Sequence, residues 1–479
     1  MRCMDHRVFG VVNDGQLVWN HSEACGCYRR IEAAREYAPR ASRPTKRLIR
    51  IPLSVLLFFS AKAASRERQV GEASTRTLVV YGTGLMALGL VLLFAAGCRR
   101  QSPATAFMEN KEPAARVWPS EPPPGCPFPS SNEITGIAFT GRHREYENAD
   151  TWYMSWASDG NLYSPYADGS VEGIEVASKG PSPTTGQAVV IGDDPLVLTV
   201  KSLGAHHETA LPYVGRYPVG TLLYNGVWYY GTYAVEDGVG PMVGFRYSTD
   251  YGKTWTDPRL TPLHNLFHEG GTVDAKIKMA IPIFVDFGKN MEYSPDGKAY
   301  LVAHGATRPW VEESWIGGDQ IYLARVTPSI ANINDVSKYE FFSGYDAEGN
   351  PVWSGSFAKI RPLIEWNDHT GVVMATYDKP LKKFLMFVTR GPYPAEGPYD
   401  TYLLESERLT GPWKLITYMK GFGTVGYFVN IPSKFISPDG YTAWLCYSDL
   451  SNLQRLPTKP PGGRYALCLQ EIKLVAAGR

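Results

Sequence analysis

The stretch 150–169, DTWYMSWASDGNLYSPYADG, reads as two apolar-aromatic strands joined by the turn Ser158-Asp159-Gly160-Asn161. Asp-Gly between alternating hydrophobic runs is a strong hairpin signal, because glycine takes the positive φ that the turn needs. With Asp159 and Gly160 at the turn, residues 152–157 pair antiparallel with 162–167. Asp150 and Asp168 then meet at the open end of the hairpin. Opposed Cβ atoms lie about 4.5–5.5 Å apart and diagonal ones about 7–8 Å. A carboxylate pair works on a glycosidic bond at roughly 5–9.5 Å.

The same order of events returns along the chain. Five segments each present a strand, an aromatic strand after a turn, a third strand and a short edge strand. The first spans about 152–203. The second runs from Gly226 through Phe245 to Trp255, and the third from Ile281 to YEFF at 339–342. The fourth runs from Ala358 to GPWKLI, and the fifth from Tyr427 to YALCLQEIKL. Strand repeats of this length predict propeller blades. The fifth has three strands, and residues 133–139 supply a spare one that would complete it and remove an open edge. The expected fold is all-β, a five-bladed β-propeller closed by its N-terminal strand. A two-sheet sandwich is the competing architecture.

Residues 248–255, STDYGKTW, match the Asp-box pattern SxDxGxTW. Its Asp and Gly make a tight turn and its Trp packs between blades, so its role is structural. Sialidases carry this box, but they also need an arginine triad to clamp a carboxylate, and no convincing opening motif for one is present. The Ser-Pro-Asp-Gly runs at 294–297 and 437–440 are hairpin turns.

Composition agrees with a turn-rich β protein. Among 479 residues there are 47 Gly and 36 Pro, with 12 Trp and 29 Tyr to fill pleated surfaces. A net charge of +1 gives no reason to expect a polyanion-coating surface or a nucleic-acid partner. No phosphate loop, nucleotide fingerprint, HExxH or Cys/His metal set appears, so no cofactor is assigned. A structural cation in the central funnel is the one open expectation of that kind.

The N-terminal quarter differs from the rest. Residues 1–75 are Arg-rich and aperiodic, expected to be disordered or a spurious upstream extension, and Cys25-Gly26-Cys27 is one residue short of a CxxC pair. The apolar run 51–60 is too short to span a bilayer. Arg76 then precedes an apolar run at 78–94 that ends in Ala95-Ala96-Gly97-Cys98. This is the layout of a secretory signal, and a Cys after Ala-Ala-Gly resembles the bacterial lipoprotein box, with Ala95 where Leu is preferred. Residues 76–98 are therefore expected to be a lipoprotein signal with Cys98 lipidated, or alternatively an uncleaved membrane anchor. Residues 99–131, rich in Pro and Ser, read as a tether, and 132–479 as the propeller. The expected location is extracytoplasmic, on a bacterial outer membrane through the lipid anchor, with the chain a monomer. In that compartment Cys446 and Cys468, on neighbouring strand-like runs, could form a disulfide or remain buried thiols; Cys126 has no evident mate.

In a propeller the innermost strands line a funnel, and ligands bind at one mouth. Asp150 and Asp168 at the start of the first blade would face it as acid and base, or acid and nucleophile. Five blades with carboxylates at blade starts resemble the propeller glycoside hydrolases of the arabinanase-fructosidase type. More narrowly, DTWYMSWASDGNLYSPYADG with PIFVDFGKN, DQIYLARV, YEFFSGYDAEGNPVW and GPWKL resembles the domain-of-unknown-function 4185 family over about 134–475. That resemblance implies a secreted endo-D-arabinanase-like activity on an arabinan-like polysaccharide. It maps the family's paired aspartates onto Asp150 and Asp168, with Ala-Asp-Gly standing where many relatives have Gly-Asp-Thr.

Other residues are candidates for substrate contact. Trp152, Trp156, Tyr163 and Trp310 offer flat rings, and Asp319 joins Glu269, Asp274 and Asp286 near blade junctions. Lys434, on the presumed inner strand of the last blade, would be a buried cation unless it faces the funnel. His206-His207-Glu208, in a loop between the first two blades, could with Arg216, Tyr230 and Arg246 instead serve a polysaccharide lyase, a His or Tyr base beside a cation. Adjacent His residues point oppositely in extended chain, which argues against their sharing a metal. A glycan-binding propeller without catalysis is the third reading.

Overall fold

The computed structural model describes residues 11–13, 16–18, 115–178, 182–207, 217–233, 242–261, 264–268, 276–309, 315–392 and 397–478. The chain divides into two units, Met1–Ala104 and Thr105–Arg479. In the first, Val11–Asn13 pairs antiparallel with Gln16–Val18. The signal segment, Cys98 and much of the tether lie outside the described residues. So do Glu208, Arg216, Glu269, Asp274 and Trp310.

The second unit is a five-bladed β-propeller, built from five antiparallel sheets taken up in chain order. In the first blade the inner segments Asn148–Asp150 and Ser155–Trp156 pair with Leu162–Val171, followed by Thr184–Ile191 and Thr199–His207. The second has Tyr217–Tyr224, Val227–Tyr233 and Phe245–Ser248, with an edge bridge from Tyr247 to Thr256. The third begins with Lys276–Ile277 and Ile283–Phe284, then Ala299–Pro309, Gly318–Val326 and Tyr339–Tyr345. Pro351–Ser354 and Ile364–Thr370 also join this sheet, so the fourth blade starts at Val372, later than the repeat placed it. The fourth is Val372–Asp378, Lys383–Arg390, Asp400–Ser406 and Lys414–Met419. The fifth runs Gly426–Asn430, Thr442–Asp449 and Leu467–Ala476, and Ile134–Tyr146 pairs along its last strand. A sandwich would gather these strands into two facing sheets; here each group of three to seven is its own sheet.

The inner strands enclose one axis. Tyr153, Thr221, Phe284, Ala375 and Ile431, one from the inner part of each blade, line a single cavity of about 20 Å³. That is room for about one water, so the axis is plugged rather than open. The inner strands run one way: Asp286 and Thr376 form a parallel bridge, and the late residues Leu223 and Ser155 bond N–H to Oγ. Their starts therefore share one mouth of the ring and their ends the other.

The sheets pack through aromatic faces, as the composition implied. Between the first two blades Trp228, fully buried, lies 5.4 Å from the Tyr163 ring and 5.0 Å from Trp255. The Asp box builds this contact. The Asp250 carboxylate accepts from Thr254 N and Oγ1 and from Ser248 Oγ, which holds its pKa down at about 2. Trp255 Nε1 donates to the Gly252 carbonyl. Cys446 pairs opposite Leu469, and Cys468 opposite Tyr447. The two thiols are thus one residue out of register and face opposite sides of the sheet, in different core clusters. Both are free, as is Cys126.

Candidate active site

The opening hairpin forms with its turn where the sequence placed it, but its open end is irregular. Trp156 pairs with Leu162 and Ser155 with Tyr163, yet Asp150 pairs with Ala167, one step off that register. Thr151 (φ 65°) and Asp168 (φ 44°) are both left-handed, which breaks the pleat between the two ends of the hairpin. Asp168 therefore does not sit directly across from Asp150. Gly169 is required next to it: a Cβ there would lie 1.9 Å from the Asn148 carbonyl oxygen and 2.6 Å from Ala149 Cα. The glycine of the Ala-Asp-Gly sequence follows from that close approach of the inner strand.

Asp150 is buried, 6 % exposed. Thr151 Oγ1 donates to Oδ1 at 2.7 Å and Tyr427, on the inner strand of the fifth blade, donates to Oδ2 at 2.8 Å. Burial pushes its carboxyl up to about 7, and the nearby Asp168 charge adds to the rise; the hydroxyls of Thr151, Tyr427 and Tyr465 oppose it. Asp168 accepts from Ser178 N and from Ser178 Oγ, both at 2.7 Å. Tyr217, at the start of the second blade's inner strand, stands beside Asp168 and Ser178. A buried carboxyl that holds a proton near neutrality, next to a second carboxylate, is a group suited to proton transfer at ordinary pH.

Aromatic rings floor the site. Tyr153 stands 5.1 Å from Phe428, and Trp315 lies 5.2 Å from Phe428, 5.4 Å from Tyr427 and 5.9 Å from Tyr399. Trp315, Tyr217 and Tyr465 are half-buried, so the rim presents rings and hydroxyls while Tyr153, Tyr427 and Phe428 beneath are buried. Sequence reasoning missed Tyr217, Tyr427, Tyr465 and Trp315. Tyr217 and Tyr427 do carry a signal, since each is a tyrosine at or next to the start of an inner strand; Tyr465 and Trp315 come from between strands and carry none. Removing the Tyr427 donor should raise the Asp150 pKa further. In Tyr427→Phe the alkaline limb of kcat/KM moves to higher pH by about half a unit to one unit, the scale of one hydrogen bond. An unmoved limb would show that Asp150 does not govern the profile.

The remaining candidates lie elsewhere. Trp152 is a core residue, 1 % exposed, stacked on Tyr166 at 5.5 Å with Nε1 bonded to the Ala149 carbonyl. Trp156 is half-buried at the far end of its strand, packed against the first-blade core cluster, and Tyr163 bonds Asp159 within the turn. His206 and His207 end the outer strand of the first blade rather than sitting in a loop. His206 Nε2 lies 3.2 Å from Asp257, and His207 Nδ1 lies 3.1 Å from Ser182 Oγ. Tyr230 and Arg246 are buried together between blades. Arg246 Nη1 donates to the Tyr230 hydroxyl at 3.0 Å, and Arg246 also pairs with Asp257 at 3.1 Å. Of the lyase candidates, His206, Tyr230 and Arg246 are thus joined through Asp257 in an interblade network, because buried polar groups must find partners, whereas His207 is exposed and bonds elsewhere.

Asp319 accepts from the Thr307 backbone N–H at 2.8 Å and from its hydroxyl. Asp286 accepts from Ser433 N and Oγ, tying the third blade to the fifth where inner strands end. Lys434 is not on the inner strand, which stops at Asn430, but on the 3-10 turn Ser433–Phe435. Its Nζ donates to the carbonyls of Gly160 and Gly192, both at 2.7 Å, and pairs with Asp193. Gly160 is the closed end of the hairpin, so Lys434 and Asp150 occupy opposite mouths. Among the described residues no group of three or more His, Cys, Asp and Glu gathers to hold a metal ion.

No family model and no curated protein matches the sequence. Solved structures that resemble it include a putative hydrolase from Bacteroides ovatus, 12 % identical, covering 75 % of this chain and 93 % of its own, with a TM-score of 0.42. An α-L-arabinofuranosidase from Podospora anserina in complex with cellotriose is 12 % identical over 75 % of this chain and 98 % of its own, at a TM-score of 0.36. A GH43_1 enzyme from Xanthomonas citri complexed with xylotriose is 14 % identical over 70 % and 88 %, at 0.38. The five-bladed architecture here stands on the pairing of the chain's own strands.

Proposed function

We propose that this chain is a glycoside hydrolase whose carboxylate pair is Asp150 and Asp168, acting on an arabinan-like polysaccharide. The observation that carries the reading is Asp150 itself: a buried carboxyl at an inner-strand start, with a pKa of about 7 and a second aspartate beside it. In this reading Asp150 gives its proton to the departing glycosidic oxygen as the C–O bond breaks. Water supplies hydroxyl to the anomeric carbon, and its proton returns to the carboxylate pair. The rings of Trp315, Tyr217 and Tyr465 at the rim supply apolar faces and hydroxyls for sugar. A panel of soluble polysaccharides, scored for new reducing ends and for unsaturated products, tests it. Reducing ends without unsaturation support hydrolysis; unsaturated products would replace it with elimination, and binding without either with a non-catalytic propeller.

The N-terminal sequence supports an extracytoplasmic enzyme held on a bacterial outer membrane by lipid on Cys98, with the polysaccharide as its partner. Cys98→Ser should move the protein from the membrane fraction to the soluble one and abolish incorporation of labelled fatty acid. Unchanged membrane retention would favour an uncleaved anchor.

A further inference from the structure

At the other mouth of the ring, between the third and fourth blades, lies a groove of about 330 Å³. That volume is at the small end of ligand sites. Tyr377 lies next to the end of the fourth inner strand, and Phe384 near the start of the strand that follows. The groove is therefore remote from Asp150. Its lining is aromatic. Tyr293 and Tyr377 stand 6.3 Å apart and Tyr377 and Phe384 4.9 Å apart, with Tyr300 and Trp353 at 5.9 Å across the groove.

Three of these rings, Tyr293, Trp353 and Tyr377, remain half-exposed although their neighbours are buried. They are held stiffly. Arg325 stacks on Trp353 at 4.0 Å, and Lys379 sits 5.1 Å from the Tyr293 ring centre. Arg325 is itself neutralised, bonded to Glu340 at 2.6 Å and 3.3 Å from Asp296. The groove thus offers fixed ring faces, with the Arg325 charge paired and Lys379 set beside the Tyr293 ring. The Tyr377 hydroxyl and Trp353 indole N–H have no hydrogen-bond partner among the described residues, and the exposed Glu407 and Arg408 add polar groups at the rim.

We infer that this groove is a second saccharide-binding site, taking sugar units of a polysaccharide chain away from the carboxylate pair. Flat faces accept the C–H face of a sugar ring, and unpartnered donors take its hydroxyls. The choice of ligand class rests on the polysaccharide reading above, but the groove is tested without turnover. In the full chain carrying Asp150→Asn, gel retardation by soluble arabinan is measured with and without Trp353→Ala or Tyr293→Ala, each checked for an unchanged melting temperature. The expected result is roughly tenfold weaker retardation in either variant, the scale of one aromatic contact. Equal retardation in both folded variants overturns the site. So does a proline-rich peptide that binds through Trp353 while arabinan does not, since such peptides also use aromatic grooves. If the unaltered protein turns over no polysaccharide yet Trp353→Ala still lowers retardation, the hydrolase reading falls and the groove stands.

Discussion

Asp150→Asn is expected to lower kcat on any polysaccharide substrate by about 10²–10⁴-fold, the range that one positioned acid or base contributes. The same substitution should raise stability above neutral pH. Asp150 has a folded-state pKa of about 7 against an ordinary value of 3.8. Between those values the folded chain binds more protons than the unfolded one, so stability falls as pH rises through the window. Asparagine resembles the protonated acid and escapes that loss. Its melting temperature should exceed that of the unaltered protein at pH 8, with the gap closing toward pH 4. A variant that is inactive and more stable only at high pH identifies a carboxylate held protonated for use. Retained turnover, or a stability difference independent of pH, would remove Asp150 from the reaction.

Trp228→Ala should unfold the propeller most readily of any single truncation in the first two blades. The indole is fully buried, donates from Nε1 to Thr221 Oγ1 at 2.6 Å, and touches the rings of Tyr163, Tyr230 and Trp255. The Asp-box turn is pressed against it, since a Cβ on Gly252 would lie 2.7 Å from its ring. Losing such a side chain leaves a cavity and costs about 3–5 kcal/mol. For a domain of this size that is roughly 4–7 °C in melting temperature. A thermal scan by circular dichroism reads it, and a drop below about 3 °C would mean that the two blades repack around the gap.

These two expectations divide along a line that the sequence itself draws. The Asp box was legible because its turn needs Ser, Asp, Gly and Trp at fixed offsets, and the hydrogen bonds that make the turn are local. The blade repeat was legible for a similar reason: each blade is a run of hairpins set by alternation and turn residues. The Asp159-Gly160 turn and the pairing of Trp156 with Leu162 follow from that pattern alone. The start of the fourth blade was misplaced because the ribbon from Pro351 to Thr370 has strand character that does not say which sheet receives it. The ring candidates failed for another reason. Trp152, Tyr230 and Arg246 have the same chemistry in a site as in a core, and only burial separates the two.

The hairpin at 150–169 shows where local information ends. Sequence by itself determined the turn, the strands, the presence of two aspartates at the open end and the all-β repeat that contains them. Only the tertiary structure decided that Asp150 is buried against Tyr427 from a blade more than 270 residues later in the chain. It also decided that left-handed backbone at Thr151 and Asp168 moves the pair out of simple register, and that Lys434 belongs to the opposite mouth. The physical reason is that pleat and turn are settled between neighbours, whereas a carboxyl's desolvation and its donors are settled by whatever the ring brings against it.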